Sequence, residues 1–177
     1  MKTLLFTFCI AFFLFSCNTI KVSTDYDKHV DFTKYKTFAF INLKVSDNIS
    51  ELNQDRIVEA IQFYMQKKGF VWDTLNPDML VNATAIIKDK QYLSANTYGT
   101  GGYYRPYYGY GGTTTTVDVV EYKEGSLIID IVDNKTQKLI WEGIGNEEID
   151  APSKDPERDI NYAVYRILLG FPPEPKK

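Results

Sequence analysis

Histidine is nearly missing from this chain, with one in 177 residues, and cysteine occurs only twice. His29 is therefore the sole imidazole available as a base for a serine or cysteine nucleophile, and Gly125-Ser126 is not part of a Gly-x-Ser-x-Gly elbow. Cys9 falls inside an apolar N-terminal run and Cys17 ends it, so nothing downstream can form a disulfide and the fold must stand on its core. Basic residues are not in excess: 20 Lys and Arg against 23 Asp and Glu give a formal charge of −3. That balance offers neither the basic stripe of a nucleic-acid partner nor a polybasic membrane patch. Long hydrophobic runs are also lacking. Leu4 to Phe15 is apolar except for Thr7, twelve residues in all, against the ~20 that a helix needs to cross a bilayer.

What is present begins with that segment. Met1-Lys2, the apolar run and the small Ser16 make an export signal. Leu14-Phe15-Ser16-Cys17 resembles the lipobox of bacterial lipoproteins. The resemblance implies cleavage between Ser16 and Cys17, a diacylglyceryl group on the Cys17 thiol and acylation of the new amine by chains of the palmitate kind. Two or three acyl chains anchor stably where one binds marginally. Asn18 is not the aspartate that the class associates with inner-membrane retention, so the expected location is the cell outer membrane, lipid-anchored and facing the periplasm. The organisation read from this is a signal over 1–16, a lipidated tether over 17–22, one domain over 23–172 and an extended tail over 173–177. The mature length suffices for a core.

Asp25, Asp27, Asp31 and His29 crowd together early in the chain, but the spacing fits neither a zinc set nor a calcium loop. They read as turn residues, with no metal. Lys34 to Ile41 is strand-like. Ser50 is positioned to cap a helix in which Ile57, Ala60, Ile61, Tyr64 and Met65 keep helical spacing, with Phe63 off the stripe and Gly69 where a left-handed cap belongs. Phe70 is placed for the contact that accompanies such caps. Val71-Trp72 reads as a short strand, Asn76-Pro77-Asp78 as a turn, and Met79 to about Lys88 as an alternating strand. Thr113 to Tyr122 is a further strand, and two more, 127–132 and 138–143, flank a hairpin turn over Asp133 to Gln137. Asp155-Pro156 opens a second helix carrying Ile160, Ala163, Val164, Ile167 and Leu168, closed by Gly170. The expected fold is α+β, a mostly antiparallel sheet of about five strands with two helices packed on one face; the alternative puts one helix on each face.

Residues 98–112 read YGTGGYYRPYYGYGG, with six tyrosines and six glycines. The plain expectation is a hairpin tip without a dedicated ligand. The second is a contact loop, in which Tyr103, Tyr104, Arg105, Tyr107, Tyr108 and Tyr110 stack on sugar rings or a partner protein.

With those elements placed, residues from about 22 to 173 resemble the bacterial lipoprotein family catalogued as domain of unknown function 4136. The stretches carrying the likeness are Asp31 to Phe40, the helix from Arg56 to Gly69, Pro77 to Val81, Gly125 to Asp133 with Leu139 to Gly143, and Ala163 to Pro172. The resemblance implies a lipid-anchored α+β domain with a variable insert at 98–112 and brings no catalytic residues. The expectation is a non-enzymatic binding or scaffold domain with no cofactor. Its partners are the membrane through Cys17 and an envelope protein or glycan, met through the insert or a sheet edge, with no nucleic acid. The rival is an envelope glycan or peptidoglycan hydrolase using Asp130 and Glu142 as paired carboxylates.

Overall fold

A computed structural model describes residues 20–41, 49–99, 113–149 and 151–174. Among these, six strands make one sheet: β1 (Lys21–Tyr26), β2 (Thr37–Phe40), β3 (Val71–Trp72), β4 (Met79–Gly99), β5 (Thr113–Asp133) and β6 (Leu139–Ile149). Their spatial order is β1-β6-β5-β4-β2-β3. Two helices, α1 (Glu51–Lys67) and α2 (Pro156–Leu168), accompany it.

The α+β class is as expected, but the sheet has six strands where about five were expected, and it is mixed rather than mostly antiparallel. The neighbours β1–β6, β6–β5 and β5–β4 are antiparallel, while β2 pairs in parallel with both β3 and β4. Helix α1 is the cause. A strand, helix, strand unit returns the chain to its starting end, so the next strand runs parallel to the first. Two further differences come from strand length. The stretches 113–122 and 127–132 are one continuous strand, and β4 runs past Lys88 to Gly99. Finally β1 takes up Lys21 and Val22, expected in the tether; its polar run hides Val22 and Tyr26, which pack against the core.

Local chemistry sets the helix ends. The Ser50 carbonyl, not its hydroxyl, accepts from the N–H groups of Asn53 and Gln54. At the far end Gly69 takes φ +93°, the Phe70 N–H reaches the Met65 carbonyl and the Gly69 N–H the Gln66 carbonyl. That pair of bonds is a Schellman cap, and Phe70 is buried behind it. For α2, the Asp155 carboxylate accepts from the Arg158 N–H at 3.2 Å with Pro156 in the first turn.

One sheet face carries the core. Val81, Ala83 and Ala85 of β4 stand opposite Ile131, Ile129 and Leu127 of β5. Ile57, Ile61 and Met65 of α1 and Val164, Ile167 and Leu168 of α2 join the same buried cluster, so both helices lie on this face. A register shift between Ile131 and Val132 leaves Ile140 as the extra residue of a bulge in β6, and there the consecutive residues Ile140 and Trp141 are both buried. The Trp141 indole N–H donates to the Gly170 carbonyl at 3.3 Å, and its ring meets Phe171 edge-on at 5.3 Å. The parallel pairing of β2 and β4 is pinned by Asp78, whose carboxylate accepts from the N–H groups of Lys36 (2.8 Å) and Thr37 (3.0 Å).

Candidate functional site

Lys21, Asn146, Ser126 and Ile86 stand in one row across β1, β6, β5 and β4. Beyond that row lie the entry of the N-terminus, the last residues of β6 and an arm. The arm exists because β4 and β5 stay paired from Met79↔Asp133 to Gly99↔Thr113, whereas β6 accompanies β5 only between Lys123 and Val132. At its base Lys90 meets Glu124 at 2.6 Å, and Gln91 donates to Glu121 at 2.7 Å. Higher up, Leu93 (72% exposed) pairs with Val119 (58%), and Val117 (57%) pairs with Ala95, so one face of the ribbon shows bare apolar side chains. The contact-loop residues Tyr103, Tyr104, Arg105, Tyr107, Tyr108 and Tyr110 lie outside the described residues, as do Ser16 and Cys17.

At this same end a cleft of about 380 Å³ opens between the sheet and the first turns of the two helices. Ala85, Leu127 and Gly145 form its floor, and Ile57, Ile160 and Ala163 its helical walls. Ile20 and Ile149 lie on the sheet at its side. They lie so flat because a Cβ on Gly145 would come within 2.7 Å of Ile20, and one on Gly125 within 2.8 Å of Ile149. The lining is mostly apolar, with Asn53, Ser126 and Ser153 as its neutral polar residues and Glu147 and Asp159 as its carboxylates. Burial, and then the nearby charge of Asp159, push the Glu147 carboxyl above its ordinary value. The Asp159 carboxyl is held low, chiefly by the Ser153 hydroxyl donating at 2.6 Å and then by Arg158.

The early acidic residues serve their own backbone. Asp27 accepts from the His29 N–H at 2.9 Å, and Asp31 accepts from the Thr33 N–H and hydroxyl at 3.1 and 2.7 Å. Among the described residues no group of three or more His, Cys, Asp or Glu is placed to hold a metal ion. Asp130 and Glu142 are direct cross-strand neighbours, and Asp25 stands on the other side of Glu142. These three carboxylates and Asn82 form a row on the face away from the helices. Asn82 donates to Asp130 at 3.4 Å, while the other Asp130 oxygen is enclosed without a protein partner. A hollow of about 260 Å³ at the β1 edge includes Glu142 but not Asp130. The apolar cleft is on the opposite face, so the structure does not bring the pair and the cleft together.

Sequence reasoning missed the cleft and Glu147. Trp141, Gly143, Gly145 and Glu147 alternate on one face of β6, which is visible in the sequence. That this face meets Ala163 and Ile57 is set by pairing and packing, which is not.

Fold and site define an α+β domain: a six-stranded mixed sheet, two helices on one face, a projecting ribbon and an apolar cleft beside the point where the chain enters β1. The chain belongs to the family described as Domain of unknown function (DUF4136), whose model matches residues 22–173. No curated protein matches it in sequence. Among solved structures, a PDZ domain protein from Parabacteroides distasonis is similar in fold, with a TM-score of 0.58 and 19% identity over 88% of this chain. The match spans only 36% of that longer protein. Two crystal forms of a PelC dodecamer from Paraburkholderia phytofirmans align over 85% of this chain and 95% of theirs, at 7% identity and TM-scores of 0.42 and 0.47.

Proposed function

We propose that this protein is an outer-membrane lipoprotein of a Gram-negative envelope, facing the periplasm, whose domain binds or scaffolds envelope components without catalysis. The observation that supports it is the shared end: the chain enters β1 from the side of the sheet where the arm projects. A lipid on Cys17 therefore anchors the domain by the end that carries its bare apolar ribbon. Tethering raises the effective concentration of weak contacts near the membrane surface, so modest patches suffice. The ribbon face of Leu93, Val117 and Val119 supplies an apolar contact, and the insert beyond it adds tyrosines suited to an envelope protein or glycan.

Two measurements test this. Intact mass of the native protein is expected to show loss of residues 1–16 and a diacylglyceryl group on Cys17; an unmodified cysteine sinks the anchor. Capture of envelope fractions on the mature protein is expected to retain a partner that is lost when the apolar ribbon residues become Leu93→Asp, Val117→Asp and Val119→Asp. Retention that survives those changes removes the arm from the reading. Murein turnover that disappears in Asp130→Asn would overturn the non-enzymatic assignment in favour of a carboxylate hydrolase.

A further inference from the structure

We propose that the cleft is an acyl-chain site and that its occupant is a chain borne on Cys17. The inference rests on the lipid-anchor reading and adds to it a second place for the lipid. Three observations converge. The cleft is lined by Ile20, Ile57, Leu127, Ile149 and Ile160 over a floor of glycine and alanine, and its volume of about 380 Å³ falls within the ~300–1,000 Å³ usual for small-molecule sites. Ile20, only 4% exposed, is part of that lining and comes three residues after Cys17. Even fully extended, three residues reach only about 10 Å, so an acyl chain on Cys17 starts no farther than that from Ile20.

Charge selects among lipids. Glu147 and Asp159 are carboxylates, and among the described residues only Asp159 has a cation on it, Arg158 at 3.0 Å. A fatty-acid anion or an anionic phospholipid would bring a third negative charge to this opening. The glyceryl esters and amide on a lipidated cysteine carry none. Attachment also makes binding intramolecular, so that no diffusing lipid competes on equal terms. When a bilayer is at hand its hydrocarbon core is an equivalent refuge for the chain. The cleft is filled when the domain is away from one.

The test uses the full mature protein, lipidated in cells and isolated in deuterated detergent, with isoleucine δ1-methyls labelled, then diluted below the micelle threshold. Nuclear Overhauser contacts are expected between acyl methylenes and the methyls of Ile57, Ile149 and Ile160. They should vanish in the unlipidated Cys17→Ser protein and in Ala163→Trp, which fills the cleft. Because the latter substitution can disturb folding, Ile160→Glu provides a second variant in which the contacts must fall. Lipidated protein by intact mass with no such contacts overturns the cleft and leaves the anchor standing. An unmodified Cys17 overturns both. Contacts that appear in Cys17→Ser protein mixed with phosphatidylethanolamine vesicles assign the cleft to bilayer lipid and overturn the Cys17 source.

Discussion

Gly143 matters for what it leaves out. A Cβ there would collide with the Trp141 ring and with Ile167, so the tryptophan lies flat along its own strand only because the residue two places on is bare. Gly143→Ala is expected to cost roughly 1–3 kcal/mol, as overpacking does, read as a lowered urea midpoint. Across the sheet the sign reverses. Asp130 faces Glu142, and Glu142 faces Asp25. Like charges directly opposite are destabilising, on a scale of roughly 0.2–1 kcal/mol per pair, so Asp130→Asn should raise the midpoint slightly. Acid stability depends on other groups. Backbone N–H bonds, that of Lys36 first, hold the Asp78 carboxyl below its ordinary value, and the Tyr35 hydroxyl, donating at 2.7 Å, does the same for Asp133. Folded values below unfolded ones stabilise above an ordinary carboxylate pKa of ~3.9 and cease to do so as pH falls through the folded values. The midpoint should therefore drop below about pH 4, and less steeply in Asp78→Asn. Glu147 has the opposite sign: its folded value is raised, so the fold is penalised above it. Glu147→Gln should stabilise at neutral pH and have no such effect in acid.

The arm is the element with least support. Among the described residues its strands pair only with each other past Lys90↔Tyr122, and an isolated two-stranded ribbon is marginal in water. Amides of 91–99 and 113–121 are expected to exchange orders of magnitude faster than those of 79–87 and 125–133, as followed by hydrogen exchange. Replacing 90–122 by Asn-Gly should leave the melting temperature within a few degrees, since the buried cluster loses no member. What the sequence disclosed follows the same division between local and non-local. Both helices, the Gly69 cap, the Asp155 cap and the turn after Asp133 were readable because each depends on neighbours within a few residues. The direction of β2 against β4 was not, because Asp78 reaches Lys36 across about forty residues of chain. Nor was β1, whose Val22 and Tyr26 are recognisable as inward only once Gly145 and Trp141 stand opposite them. The cleft was illegible for that reason too, being assembled from three strands and two helices.

At the scale of the molecule, the first strand closes against the last, so the sheet is completed between residues 21–26 and 141–146. If Cys17 carries the anchor, that closure sits next to it, and Cys17→Ser should move the mature protein from the membrane pellet to the soluble fraction without changing its circular dichroism. The same arrangement governs how the domain bears mechanical load. A pull on the N-terminus passes through Ile20 and then along the axis of β1, antiparallel to β6. Every pair from Lys21↔Asn146 to Tyr26↔Trp141 is strained at once, in shear, and none can open ahead of its neighbours. A strand hauled sideways would unzip one pair at a time. A domain pulled through Ile20 is thus gripped along the whole length of its edge strand.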